Sequence, residues 1–229
     1  LPPICEKLGI DEPEFYLEMN PFPNAYTFGD TRIFITMTSG LVEMMNDEEL
    51  DTVIAHECGH ILCRHVLYHT IANYILSGVD ALGVLGALTV PVKYAILYWQ
   101  RKSELSCDRA ASIVTSPDVV ASVMARLSGG PKSITSEVNM EEWAKQADQY
   151  DSIRNDGLWN KALQVYAIAA QSHPFSAVRV REILHWGKSV QYQNLMSNLS
   201  QQASGKKCPH CGRGVETAWC FCKHCGYKL

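Results

Sequence analysis

The stretch Val53-Ile-Ala-His-Glu-Cys-Gly-His60 decides the reading of the chain, because it carries H-E-x-x-H inside a helical pattern that no proline interrupts. Residues four apart share a helix face, so His56 and His60 can present two imidazoles to one metal ion. Tetrahedral zinc takes such nitrogens at about 2.0–2.1 Å, and a hydrolytic site adds a third protein ligand and leaves the fourth position to water. Glu57 is the natural base for that water. Asn46, with Glu49 three residues on, reads as a capping box, and the pattern predicts one continuous helix from Asp47 to about Thr70. At about 100° per residue, Leu50, Val53, Ile54, Glu57, Cys58 and Ile61 share an arc with the two histidines at its edge. A carboxylate in the middle of an apolar arc is destabilising unless it is paired or set in a functional cavity, which separates this motif from a chance occurrence.

Around that helix, 229 residues at 47% hydrophobic and 19% charged suit one globular domain with a small appendage. The net charge of -4 argues against a protein built to coat nucleic acid. Nine cysteines are unevenly spread: five fall between Cys208 and Cys225, while Cys5, Cys58, Cys63 and Cys107 sit in apolar helical contexts as small hydrophobes. The cytoplasm or another reducing compartment fits this better than a disulfide scaffold. The chain starts at Leu1 with no signal peptide in view, so an upstream targeting segment is not excluded.

Ahead of the helix, Phe15-Tyr-Leu17, Ala25-Tyr-Thr-Phe28 and Thr31-Arg-Ile-Phe-Ile-Thr-Met37 predict strands separated by the Asn20-Pro-Phe-Pro-Asn24 turn and Gly29-Asp30. Behind it, Ile71 to Trp99 is rich in Leu, Ala, Val and Gly, but its longest charge-free part, Ala81 to Val92, is 12 residues. A membrane span needs about 20, so a buried hairpin or an interfacial element is expected, and peripheral membrane contact through 71–99 stays open. Lys102 to about Thr115 predicts a helix with Glu104 and Asp108 on one face and the small residues Ala110, Ala111 and Ser112 beyond, suited to a close helix pair. Further helices are expected from Pro117 to Leu127, over 141–150, from Leu158 to Ala170, and from Ser172-His-Pro-Phe175 to about Trp186, followed by a Ser/Gln/Asn-rich linker or loosely held helix over 187–207.

The tail repeats C-x-H-C-G, as Cys208-Pro-His-Cys-Gly212 and Cys222-Lys-His-Cys-Gly226, with ten residues between the two cysteine pairs. Cys208, Cys211, Cys222 and Cys225 make a closed structural zinc ribbon on this pattern, with Cys220 spare, His210 and His224 solvent-facing, and two disulfides as the alternative.

The third ligand of the first site is chosen by spacing. A histidine on the same helix would require Gly at 63 and His at 66, where this chain has Cys63 and Val66. His65 lies about 140° around a continuous helix from His60, so it and His69 are read as structural or surface residues. A glutamate on a later helix remains, and Glu104 is the best candidate because Asp108, one turn on, can orient a ligand histidine. A plain solvent-facing Glu/Asp pair is the alternative.

Five blocks in order, Asn24-Ala-Tyr-Thr-Phe28, Gly40 to Leu50, Ala55-His-Glu-Cys-Gly-His60 with Arg64-His65, Ser103-Glu-Leu-Ser-Cys-Asp-Arg-Ala110 and Ser172-His-Pro-Phe-Ser-Ala-Val-Arg179, resemble the HtpX and CAAX prenyl protease type of gluzincin metallopeptidase over roughly residues 5 to 186. The resemblance implies that His56, His60 and Glu104 are zinc ligands, Glu57 the general base, and Asp108 an orienting carboxylate. It also implies that His173 and Arg179 stabilise the transition state or shape the site. In the same family the strand matching Ile33 to Met37 edges the cleft, so substrate is expected to add to it as an extended strand. Cys58 stands where the family often has Leu, and the long membrane helices of larger members are missing or reduced to 71–99.

The expected fold class is α+β, mostly α: a zincin-like metallopeptidase domain over 1–186 with a small sheet beside the zinc helix, a polar linker over 187–207 and a zinc ribbon over 208–229. The expected function is zinc-dependent endopeptidase acting on protein or peptide substrates, with one catalytic and one structural zinc. The rival class is a metal-containing binding module or inactive scaffold whose ribbon recruits protein or nucleic acid. Five Lys/Arg against one Glu from Lys206 onward fit a solvated structural ribbon better than nucleic-acid contact, so no nucleic-acid partner is expected, and the intact Glu57 speaks against the rival.

Overall fold

The computed structural model describes residues 1–29, 32–81, 90–129, 132–155, 175–203, 207–215 and 219–228, in two compact units, Leu1–His185 and Trp186–Leu229. In the first, helix α1 (Pro2–Leu8) closes on Gly9 and leads to strands β1 (Glu14–Glu18), β2 (Ala25–Phe28) and β3 (Phe34–Thr38). The sheet order is β1-β3-β2, with β3 parallel to β1 and antiparallel to β2. Alternation along β3 buries Ile35 and Met37 on one face, and in β2 Thr27 and Ala25 stand opposite them. The strand chosen from sequence to receive substrate is therefore the central one. Both of its edges are taken, whereas among the described residues β2 keeps one edge unpaired, and its residues line the cleft described below.

Helix α2 (Ser39–Met44) delivers the chain to α3 (Asp47–Leu62), whose capping box is formed as the sequence predicts. Glu49 N–H donates to Asn46 Oδ1 at 2.9 Å, and Asn46 N–H donates to Glu49 Oε2 at 2.9 Å. The helix ends at Leu62, eight residues short of the expected Thr70. Cys63 N–H bonds Gly59 O, Arg64 N–H bonds Ile61 O, and Arg64 turns left-handed at φ 56°. Leu62, Cys63 and Arg64 are exposed, so the apolar arc that held α3 to the core has nothing left to bury there. The chain restarts as α4 (His65–Ala81), and the angular argument that set His65 apart from His60 no longer applies.

Helix α3 packs on α5 (Val90–Val114) and α6 (Pro117–Gly129). At Gly59 the α3 backbone lies against α5, where an added Cβ would stand 2.9 Å from Cys107 Cα and 3.2 Å from Ala110 Cβ. Replacing Gly by Ala in a helix ordinarily stabilises by about 0.8–1 kcal/mol. Here the added methyl meets backbone, and overpacking of this kind costs about 1–3 kcal/mol. Gly59→Ala is expected to lower the urea midpoint of unfolding; an unchanged or raised midpoint would show that α5 yields without penalty.

The described parts of 71–99 are not buried throughout, as a buried hairpin would be. Ile71, Tyr74 and Ile75 on α4 and Val92 and Tyr98 on α5 are exposed. Among the described residues no helix is long and apolar enough to cross a membrane. Helices α7 (Lys132–Thr135), α8 (Met140–Asn155) and α9 (Ser176–Gly187) follow. The expected helix Leu158 to Ala170 and His173 lie outside the described residues. The result is a mostly helical α+β architecture with one small sheet against α3, compatible with the zincin-like class expected.

In the second unit α10 (Val190–Ala203) is helical where the sequence left a linker or a helix open, and its Tyr192 ring sits 5.9 Å from that of Trp186. The two cysteine knuckles repeat one geometry. Gly212 N–H bonds Cys208 O and Gly226 N–H bonds Cys222 O, with φ 72° and 73° at the two glycines. A left-handed residue closes each knuckle, which is why Gly follows both Cys-x-x-Cys pairs.

Candidate active site

Helix α3 presents His56, Glu57 and His60, and α5 answers with Glu104 and Asp108. The Glu104 carboxylate spans both imidazoles: Oε2 lies 3.5 Å from His56 Nε2 and Oε1 lies 3.6 Å from His60 Nε2. Asp108 Oδ1 is 3.0 Å from His56 Nδ1, which fixes that ring and leaves its Nε2 directed at Glu104. Arg179 on α9 forks onto Asp108, its Nε donating to Oδ2 at 2.8 Å and its Nη2 to Oδ1 at 2.6 Å, while Nη1 lies 3.4 Å from Glu104 Oε2. Glu104 and Asp108 are 5% and 1% exposed, so they are not a solvent-facing pair.

Without a metal ion the two imidazoles are shifted in opposite directions. Burial alone would lower His56, but its bonds to Asp108 and Glu104 outweigh that and push it up to about 10. His60 is pulled down to about 3 by burial and by the neighbouring His56. Burial pulls Asp108 upward, yet Arg179 beside it holds the carboxyl below its ordinary range. Two imidazole nitrogens facing one carboxylate, with a second carboxylate behind, suit zinc in donor type and number.

Glu57 is 7% exposed, and burial raises its carboxyl above the usual range. Thr27 Oγ1, on β2, donates to Glu57 Oε2 at 2.6 Å. A cleft of about 560 Å³ runs over these groups. Its walls include the β2 residues Ala25 to Phe28, an apolar arm of Val53, Ala111, Val120, Val123 and Met124, and a polar arm of His69, Thr70 and Asn73. His69, assigned from sequence to structure or surface, thus lines the cleft, with Nε2 3.2 Å from Ser103 Oγ.

Cys107, read from the sequence as a small hydrophobe, also lies here, its Sγ within 4.8 Å of ring nitrogens of His56 and His60. Its only sequence signal is its place three residues after Glu104, on the same helix flank. Burial and then Glu104 and Asp108 push this thiol far up, and it pairs with His65 Nδ1 at 3.4 Å. The Glu104 oxygens, which face both Nε2 atoms, are the better match for a third donor.

The model of peptidase family M48 matches residues 4–187. The chain belongs to peptidase family M48. Within it, the chain is 35% identical over 210 residues to the plastoglobule-localized metallopeptidase 48, chloroplastic, of Arabidopsis thaliana, covering 89% of this chain and 60% of that protein. It is 43% identical over 69 residues to a protease HtpX homolog of Caldanaerobacter subterraneus subsp. tengcongensis, 29% of this chain and 23% of the relative. A protease HtpX homolog of Tropheryma whipplei is 30% identical over 121 residues, 52% of this chain and 40% of the relative. The chain therefore spans no more than 60% of the length of these M48 relatives. No solved structure matches it. M48 metallopeptidases use zinc, and the HtpX-type zincin domain is the part of this chain that the family covers.

A second donor cluster lies in the tail. The Sγ atoms of Cys208, Cys211, Cys222 and Cys225 all lie within 4.8 Å of one another. Cys208 to Cys225 is 3.7 Å and Cys211 to Cys222 is 3.6 Å, and all nine cysteines are free thiols. A tetrahedron with zinc–sulfur bonds of about 2.3 Å has edges of about 3.8 Å, so the spacing suits a metal and is too long for disulfides. Burial raises the Cys208 thiol, but the main-chain groups of Cys211 and His210 bring it down to about 7. His210 and His224 are exposed, the solvent-facing position expected of them, and Cys211 and Cys225 are exposed as well.

Proposed function

We propose that this M48 chain is a zinc-dependent endopeptidase, with His56, His60 and Glu104 holding the catalytic ion and Cys208, Cys211, Cys222 and Cys225 a structural one. The observation that carries the reading is the Glu104 carboxylate placed against both imidazole Nε2 atoms, at 3.5 and 3.6 Å, beside the buried Glu57. Zinc, when bound, supplies Lewis acidity toward a carbonyl and lowers the pKa of water to around 7. Glu57 takes the proton from the attacking water and delivers it to the leaving amine nitrogen. Asp108 holds the His56 ring, and Arg179 fixes Asp108 and offsets the paired carboxylates. His173 is assigned to donate to the developing oxyanion.

Substrate enters this account as an extended chain along the free edge of β2, through main-chain hydrogen bonds. The apolar arm at Val53, Val120, Val123 and Met124 takes an apolar side chain next to the scissile bond. Residues 1–186 are read as the peptidase domain, 187–207 as the connection and 208–229 as the ribbon, in a reducing compartment that keeps the thiols free. Peripheral lipid contact through 71–99 belongs to the same reading, on the exposed Ile71, Tyr74, Ile75 and Val92. It predicts co-sedimentation with phospholipid vesicles, reduced by Ile71→Ser/Ile75→Ser; a chain left wholly in the supernatant would remove it. The scaffold reading loses ground because a scaffold has no use for a buried, hydrogen-bonded carboxylate between two metal-facing histidines.

Metal counting tests the assignment. The purified chain is expected to hold two zinc ions. His56→Ala should hold one and hydrolyse nothing, and Cys208→Ser/Cys222→Ser should hold one and still hydrolyse peptide. Two zinc ions retained by His56→Ala would move the catalytic site elsewhere.

A further inference from the structure

We infer that Thr27 is a positioning residue for the base, holding the Glu57 carboxylate in register with a peptide laid along β2; the inference rests on the reading of Glu57 as that base. Thr27 faces inward from β2, opposite Ile35, and its Oγ1 stands 2.6 Å from Glu57 Oε2 and 3.2 Å from the Glu57 main-chain oxygen. A hydroxyl has one proton, and the shorter, charge-assisted contact takes it. The hydroxyl then lies against the Glu57 main-chain oxygen without donating to it.

A glutamate side chain turns about three torsions, and among the described residues no ion pair fixes this one in its apolar arc. Among the described residues Thr27 is the hydroxyl that bonds its carboxylate, and it engages Oε2 and leaves Oε1 without a protein donor. Oε1 is the oxygen available to accept a proton from water. Because the threonine belongs to the strand edge that receives the peptide, a shift of the strand carries both the scissile bond and the base with it. Misplacing a reacting group by about 1 Å costs on the order of a hundredfold in rate, so this coupling matters to turnover.

Thr27→Val keeps the shape and strand preference but removes the donor, and Thr27→Ser keeps the donor without the methyl. With a peptide extending several residues either side of the scissile bond, kcat of Thr27→Val is expected to fall roughly ten- to fifty-fold, the scale of a hydrogen bond to a charged group. KM should stay within about twofold, because the lost interaction acts after binding. Zinc content and affinity for a hydrolysis-resistant peptide should be unchanged, and Thr27→Ser should recover to within about threefold of the parent kcat. Should Thr27→Val not fold, Thr27→Ala carries the same expectations. A kcat within about twofold of the parent, a loss confined to KM, or a serine variant as slow as the valine one would overturn the inference. Glu57→Gln run alongside separates the two ideas: an active Glu57→Gln removes the base and the inference with it, while a dead Glu57→Gln beside a fully active Thr27→Val removes Thr27 alone.

Discussion

Replacing Glu57 with glutamine is expected to lower kcat by about 10²–10⁴-fold while the zinc content stays unchanged. Glutamine has the same length and branching, so it fills the same buried volume and its carbonyl oxygen can still accept from Thr27 Oγ1, now 2.6 Å from Oε2. A neutral amide cannot take a proton. The variant therefore isolates proton transfer from packing, from metal binding and from the strand–helix contact. Retained zinc with lost turnover is the expected pair of results, measured by metal analysis and by peptide cleavage on the same sample. Turnover within about tenfold of the parent would show that another group is the base.

The second large effect concerns stability. Arg179→Met removes both hydrogen bonds to Asp108, at 2.8 and 2.6 Å, and leaves that carboxylate 1% exposed with His56 as its neighbour. Removing one partner of a buried ion pair typically costs about 3–5 kcal/mol. The His56 ring 3.0 Å away takes up part of the charge in metal-free protein, which points to the lower end. For a domain of this size, thermal unfolding of the metal-free variant should then begin roughly 6–15 °C earlier. Arg179→Met/Asp108→Asn should recover part of the loss, because the orphaned charge goes with its partner. A melting curve unmoved by Arg179→Met would mean that Asp108 is not held as an ion.

What could be read from the sequence was local or repeated. The capping box and the H-E-x-x-H face of α3 depend on residues within two turns, and both are formed. Glu104 and Asp108 could be paired because four residues on one helix bring them to one flank, and the family resemblance singled out that flank. The four-cysteine cluster was legible as a repeat, including the glycine after each Cys-x-x-Cys pair. The end of α3 was not, because Arg64 adopts its left-handed turn with no glycine or proline to announce it. Sheet order was also hidden: period-two alternation finds strands but does not say which lies at the edge, and the family resemblance pointed to β3 where β2 borders the cleft. Thr27, Cys107 and His69 enter the site through contacts 30 or more residues distant in sequence, as with Thr27 and Glu57 or His69 and Ser103. No local pattern encodes such contacts.

The central claim is that His56, His60 and Glu104 hold an ion on which peptide hydrolysis depends. The direct measurement strips the purified chain of metal with a chelator at neutral pH, returns zinc in graded amounts, and follows cleavage of an extended peptide against zinc bound per chain. The account predicts no cleavage by stripped protein, full recovery once both sites are filled, and, for Cys208→Ser/Cys222→Ser, recovery complete at a single zinc. Cleavage that survives complete stripping, or none at two bound zinc ions per chain, would contradict it.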